Sequence, residues 1–390
     1  MKKLDFIKIL AFSIRSCLNK RNKSEKGGKI IIIFGGIIGD SLVFMDALIA
    51  MQNYYCKEGK SITLVCRKAV ASFLKSVRND LQVEMLGIDP ELFISDYRYF
   101  LDMVQTLNSQ KWELLISPFK SKMAELIAMN TNAVHKLEMR QEFGSRFFSI
   151  EKILNKAAYN HTIIIERDCM AFKCYRILLN KLGITDYSAK LSCLPSYKVK
   201  YDFAAKNKYC VVCPTSSEAA KSWELEKFCG LIQYITEYYN LDIYLCGGPE
   251  DSEFRELLKS KIQLPDRLYD YIGNTSFNEW VELIRHAVVC IGNDSASIHI
   301  SAFTQTPSIC ITPGFFYGFM QPYDLDIVTE QDVLPTCVYA EKACFGCCLK
   351  DGKRCAGNKE CLENVRKGGK YLCIRDIALN QVITALDKVI

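Results

Sequence analysis

The sequence predicts an α/β protein of two doubly wound domains that face one another across a cleft. Three observations carry this expectation. At 390 residues the chain exceeds the size at which one hydrophobic core keeps growing, so it is expected to divide. Its apolar strand candidates show little alternation and are interleaved with helices, the pattern of parallel strands covered on both faces. The strand–helix rhythm stops over residues 192–208, which hold Pro195 and several polar residues, and then restarts.

In the first half, residues 29–34 form an Ile-rich run that leads into Gly35-Gly36 and a helix over 41–55. Residues 61–66, 112–117 and 161–166 read as further strands, with helices at 69–77 and 172–182. In the second half, strands at 209–213, 242–246, 268–272, 288–291 and 308–311 alternate with helices at 223–239, 251–261, 277–286 and 296–303. Open parallel sheets bind ligands beyond the carboxyl ends of their strands, so the turns leaving these strands are the places to look for chemistry.

Charge excludes one class of function. The formal net charge is +6. Residues 1–29 hold nine Lys and Arg against Asp5 and Glu25, a net of +7, so the other 361 residues sum to −1. A nucleic-acid reader carries its basic stripe on the folded body, and this body is neutral. The basic leader, residues 1–28, places Phe6, Ile7, Leu10, Ile14 and Leu18 along an amphipathic helix. It reads either as a helix with a solvated tail or as a peripheral attachment to anionic lipid. The apolar runs are strand-sized, far short of the roughly 20 residues that span a bilayer. A secretion signal is not expected either, and the scattered cysteines suit a reducing, cytoplasmic setting.

Two turns stand out. Gly35-Gly36-Ile37-Ile38-Gly39-Asp40 follows the first strand. Its spacing is not GxGxxG, and the second strand ends in Val65-Cys66-Arg67 without the acidic residue that holds a ribose, which disfavours a dinucleotide. Gly35, Gly36 and Gly39 let the backbone turn tightly and let a ligand approach it. Asp40 reads either as a helix cap or as a general base within reach of an acceptor hydroxyl. The second turn, Gly292-Asn293-Asp294-Ser295, joins a buried strand to a helix whose amides suit a diphosphate, with Asp294 or Ser295 as its cap. His299 stands one turn along the same face as Ser295. Thr215, Ser216 and Ser217, followed by Lys221 at a helix start, offer hydroxyls and a cation to phosphate oxygens.

Together these segments resemble glycosyltransferase family 9, the heptosyltransferase-like enzymes with the two-domain GT-B fold. Ile31 to Asp40 resembles the family's opening strand and Gly-Asp turn. Cys213-Pro214-Thr215 through Lys221-Ser222-Trp223 resembles its donor-domain motif, and Gly292 through His299 its Gly-x-Asp-[ST]-Gly-x-x-His signature. Two departures are Ala296 for the signature glycine and Pro214-Thr215 for the usual Pro-Gly. The resemblance implies two Rossmann-like domains: 29–200 on the acceptor side, carrying the base, and 201–336 binding the nucleotide-sugar donor. It implies Asp40 as catalytic base, Lys221 and Thr215 on donor phosphates, and Asp294, Ser295 and His299 lining the diphosphate and sugar pocket. The implied reaction is inverting, needs no catalytic cofactor, and passes a heptose or hexose-like sugar to a bacterial surface glycan of lipopolysaccharide type. A nucleotide-sugar epimerase or a non-catalytic sugar-binding protein are the alternatives.

The tail over 337–373 holds seven cysteines and is followed by a helix over 374–390. Cys344, Cys347, Cys355 and Cys361 supply four thiols in a short span, enough for a structural zinc site; disulfides and free thiols stay open beside it.

Overall fold

The computed structural model describes residues 2–18, 28–141, 158–185, 187, 191, 194–203, 206–263, 265–324, 326, 328–348 and 358–390. The chain separates into two compact units. The first holds Met1–Arg167 and Lys173–Tyr187, the second Asp168–Phe172 and Ser188–Ile390. The polar Pro195 segment therefore belongs to the second unit.

The first unit carries strands β1 (Lys29–Phe34), β2 (Ser61–Arg67), β3 (Val83–Ile88), β4 (Trp112–Ser117), β5 (Ala133–Gln141) and β6 (His161–Ile165). Its helices are α1 (Lys2–Leu18), α2 (Ile38–Lys57), α3 (Lys68–Val77), α4 (Pro90–Ser95), α5 (Tyr97–Asn108) and α6 (Lys122–Asn130); α7 (Ala171–Lys181) starts in the second unit and continues into the first. The sheet is wholly parallel, in the order β3-β2-β1-β4-β5-β6. Ile30 to Ile33 of β1 are buried on both faces, and each such side chain contributes roughly 1.5–3 kcal/mol by leaving water. Phe34 stacks on Phe44 of α2 at 4.8 Å.

The second unit repeats the plan. It carries β7 (Tyr209–Cys213), β8 (Asp242–Leu245), β9 (Leu268–Asp270), β10 (Val289–Asn293), β11 (Ser308–Ile311) and β12 (Thr336–Val338). With them are α8 (Leu225–Tyr238), α9 (Ser252–Lys261), α10 (Phe277–Arg285), α11 (Ala296–Phe303), α12 (Lys359–Arg366), α13 (Leu372–Arg375) and α14 (Leu379–Val389). The order β12-β11-β10-β7-β8-β9, again all parallel, is the first sheet's order in the unit's own sequence count. Both units are thus doubly wound and Rossmann-like, the architecture of the GT-B fold, and in each the strand order reverses between the first and fourth strands.

Several expectations are corrected. Helix α2 starts at Ile38, three residues earlier than predicted, which places Asp40 inside its first turn rather than at the cap. Helix α8 starts at Leu225, not at Trp223. The terminal helix expected over 374–390 is two helices, α13 and α14. Cys337 lies not in an irregular tail but on β12, in register with Cys310 of β11.

Strands β3, β5 and β12 went unread, and β5 shows why. It carries His135, Lys136, Glu138 and Arg140, which argue against a buried strand on composition alone. The Lys136 ammonium donates to the carbonyl of Ala128, and Glu138 accepts from the Thr162 hydroxyl at 2.9 Å and pairs with Arg140 at 3.5 Å. Buried charge is tolerated when it is paired in this way.

Gly36 is a tight point. A Cβ there would lie 2.6 Å from the Phe34 ring and 2.7 Å from Cβ of Asp40. Gly36→Ala should therefore destabilise the protein by about 1–3 kcal/mol through overpacking; urea denaturation against the parent measures it.

Candidate functional site

In the first unit the loop after β1, at the strand-order reversal, delivers Asp40. The side chain occupies the third position of α2, and its Oδ2 accepts the Ile37 amide at 2.8 Å. This contact fixes the direction of the carboxylate and satisfies an orphan donor of the helix. The helix dipole favours an anion in that first turn. The charge of Asp40 reaches the buried hydroxyl of Tyr175, whose pKa is raised well above its ordinary value first by burial and then by this carboxylate. Arg67 Nε donates to the Gly35 carbonyl at 3.3 Å and steadies the loop. Gly35 itself leaves no room for a side chain, since a Cβ would meet Ser121 Oγ at 2.3 Å.

In the second unit the loops after β7 and β10 lie side by side, because these two strands are neighbours at the reversal point. One residue joins the loops. The fully buried Asn293 accepts the Trp223 backbone amide on Oδ1 at 2.8 Å and donates from Nδ2 to the Pro214 carbonyl at 2.6 Å. Gly292 beneath it is required by close approach, as a Cβ would stand 2.8 Å from the Cys213 carbonyl oxygen.

Ser295 is the N-cap residue of α11, but its side chain does not cap; its hydroxyl pairs with that of Ser297 at 3.1 Å. Asp294 is half-buried at the same corner, and its charge helps raise the pKa of both Cys310 and Tyr323, after burial. His299, 3% exposed, shares a 2.6 Å hydrogen bond with Tyr323 through Nδ1. Phe172 packs edge-on against Tyr323 at 5.6 Å. Burial, and then the charge of Lys221, push the His299 pKa down to about 4. His299 is therefore a neutral hydrogen-bonding group at physiological pH, and Lys221 lies within its electrostatic neighbourhood.

Lys221 closes the short turn Ala219–Lys221 rather than starting a long helix. Ser216 spends its hydroxyl within this loop, donating to the Glu218 carbonyl and bonding Ser222, both at 2.9 Å. Thr215 is half-buried and Ser217 exposed on the same loop. The structure thus brings Thr215, Ser216, Ser217, Lys221, Asp294, Ser295 and His299 to the ends of two adjacent strands. Asp40 and the glycines Gly35, Gly36 and Gly39 form a separate constellation in the first unit.

Sequence reasoning missed the residues that support this site. Asn293 passed as a spacer, and Tyr323 lies 24 residues from the histidine it bonds. The tail also contributes. The Tyr371 hydroxyl donates to Glu218 Oε1 at 2.7 Å, its amide donates to the Ala220 carbonyl at 2.9 Å, and Lys370 Nζ donates to the Ala219 carbonyl at 2.8 Å. The segment read as an irregular cysteine tail therefore straps the turn that carries Lys221. Cys344, Cys347, Cys361 and Cys373 line one small void beside Gly314 and Phe315. Among the described residues no group of three His, Cys, Asp or Glu is arranged to hold a metal ion; the expected ligand Cys355 lies outside them.

Comparison with known proteins gives this site its setting. The model of glycosyltransferase family 9 (heptosyltransferase) matches residues 100–331, more than half of the chain. The protein belongs to glycosyltransferase family 9. That match covers the second unit's loops and begins after the Asp40 turn. Lipopolysaccharide heptosyltransferase 3 of Escherichia coli K12 is 27% identical over 239 residues, which are 58% of this chain and 66% of that protein, just under two thirds of its length. The solved family 9 glycosyltransferase of Veillonella parvula superposes with a TM-score of 0.65 at 14% identity, covering 94% of this chain and 99% of that one. The E. coli ADP-heptose lipopolysaccharide heptosyltransferase II superposes at 0.63, also at 14% identity, covering 93% and 98%. At such identities the two structures establish the shared fold.

Two outcomes test this family 9 site. Asn293→Ala leaves the Trp223 amide and the Pro214 carbonyl buried without their partner, so it should cost about 2–4 kcal/mol, measured by chemical denaturation. His299 binds its proton more weakly folded than unfolded. Its contribution to stability is present above pH 6.5 and is lost as pH falls towards about 4. Between neutral pH and pH 5 the loss is on the order of 2 kcal/mol, so the stability gap between parent and His299→Gln should shrink on acidification, as urea curves at the two pH values would record.

Proposed function

We propose that this family 9 member transfers a sugar from a nucleotide-diphosphate donor to a hydroxyl of a glycan acceptor, inverting the anomeric carbon. The observation that carries the reading is the pair of loops tied by Asn293 at the strand-order reversal of the second sheet. There Lys221, the first-turn amides of α11 and the neutral His299 converge, as a diphosphate and its sugar require.

The chemistry follows from the groups present. Asp40 accepts the proton of the acceptor hydroxyl, and the oxygen forms a bond to the anomeric carbon from the face opposite the leaving group. The bond from that carbon to the phosphate oxygen breaks, and the nucleoside diphosphate departs with the electron pair. Lys221 and the α11 amides offset its growing charge, so the reading needs no metal for this role. His299 and Tyr323 stay neutral and orient the sugar by hydrogen bonds. The E. coli relatives make ADP-heptose the first donor to try and a lipopolysaccharide-type glycan the first acceptor. Ala296, in place of the signature glycine, adds a methyl group to the loop and favours a test of hexose donors beside it. Nucleotide donors place the reaction at the cytoplasmic face of the membrane.

A panel of nucleotide sugars assayed for transfer and for donor hydrolysis tests the reading. Asp40→Asn keeps an oxygen acceptor for the Ile37 amide, and it should lower turnover by about 10²–10⁴-fold with nucleotide affinity unchanged. Full turnover in Asp40→Asn would remove the base assignment, and a wild-type protein that binds no nucleotide would remove the donor reading.

A further inference from the structure

Helix α1 has two apolar sides, and the first unit uses one of them. On the inner side Ile9 and Ser13 are buried, Phe12 packs edge-on against Phe100 at 5.9 Å, and Asn130 Nδ2 donates to Ser13 Oγ at 2.7 Å. The Cys17 thiol reaches the Met129 carbonyl. The helix is therefore a fixed part of the unit, packed on α4, α5 and α6.

The outer side is not accounted for by any contact within that packing. Leu4, Ile7 and Ile14 are 58%, 61% and 37% exposed, and with the exposed Ala11 they recur at intervals of three, four and three residues, one line along a helix. Among the described residues of the first unit, the exposed large apolar ones are Leu4, Ile7, Ile14, Leu92 and Ile164, so one helix holds three of these five. Exposed Lys8 and Arg15 flank the line, and the acid Asp5 is paired with Lys8 at 3.4 Å.

We propose that the Leu4–Ile7–Ala11–Ile14 side of α1, with Lys8 and Arg15, docks on an anionic lipid surface. Charge decides between the occupants. A second copy of this chain would set the same basic face against itself across a two-fold axis, whereas anionic headgroups complement the net +7 of residues 1–29. No helix among the described residues is long and apolar enough to cross a membrane, so α1 lies in the interface with its apolar line among the acyl chains.

The test needs no sugar, so its result is independent of the transfer reaction. Full-length protein is floated with vesicles of phosphatidylcholine alone or mixed with phosphatidylglycerol, in parallel with light scattering for self-association. Binding to the anionic vesicles should be at least about tenfold stronger and should weaken with salt. Ile7→Ser with Ile14→Ser should lower it at least about tenfold while thermal stability and nucleotide binding hold, because both side chains face water. Lys8→Glu with Arg15→Glu lowers the net charge of residues 1–29 from +7 to +3 and should weaken both the anionic-vesicle binding and its salt dependence. Equal partition of the parent onto both vesicle types, or binding indifferent to the Ile7 and Ile14 changes, overturns the proposal; a dimer dissolved by those changes assigns the face to a second copy.

Discussion

The side-chain amide of Asn293 is the constraint on which the second unit's site depends. A parallel sheet places the ends of β7 and β10 next to each other but does not fix the loops that leave them. Asn293 does so by satisfying one donor and one acceptor that would otherwise be buried without partners. Its carbonyl oxygen sets where Trp223 begins, its amino group sets Pro214, and the Thr215–Lys221 segment between them can vary little. Trp223 is in turn held by its indole, which donates to the Ile377 carbonyl at 2.9 Å, and by the Phe228 ring at 5.0 Å. The loop that carries Lys221 is thus positioned from both ends by buried groups of the unit itself.

The two constellations use opposite electrostatic strategies. Asp40 stands half-buried in the first turn of a helix, where a backbone amide and the dipole receive its charge. His299 is kept dry, and a nearby cation makes its protonation still more costly. Asp40 stands where a charge is received, whereas burial and then Lys221 disfavour one on the His299 ring.

Much of this was legible in the sequence, and the exceptions share a cause. Uninterrupted apolar strands such as 30–34 and 209–213 announced both sheets, because a strand buried on both faces has no polar positions to confuse the reading. Glycine-containing turns after them gave the positions of Asp40 and Asp294, since the backbone geometry at Gly36 and Gly292 excludes a side chain. What escaped depends on partners distant in sequence. Strand β5 is hidden by charges that are paired only in the fold, Tyr323 becomes part of the site only through His299, and Asn293 looks like any polar turn residue. The amphipathic pattern of α1 gave Ile7 and Ile14, which face outward, while the packing side made by Ile9 and Ser13 was not singled out because it shows only in the fold.

The strap from the tail has a consequence for the order in which this molecule can be made. Tyr371 and Ile377 close onto Glu218 and Trp223 across 153 and 154 residues of chain. During synthesis, β7 and its loop emerge long before the residues that hold them. The turn that carries Lys221 therefore lacks this second brace, beyond the one Asn293 gives it, until Tyr371 and Ile377 have left the ribosome. Contacts of such long sequence separation form slowly, and the first unit, whose sheet is complete by Ile165, has that interval in which to fold alone.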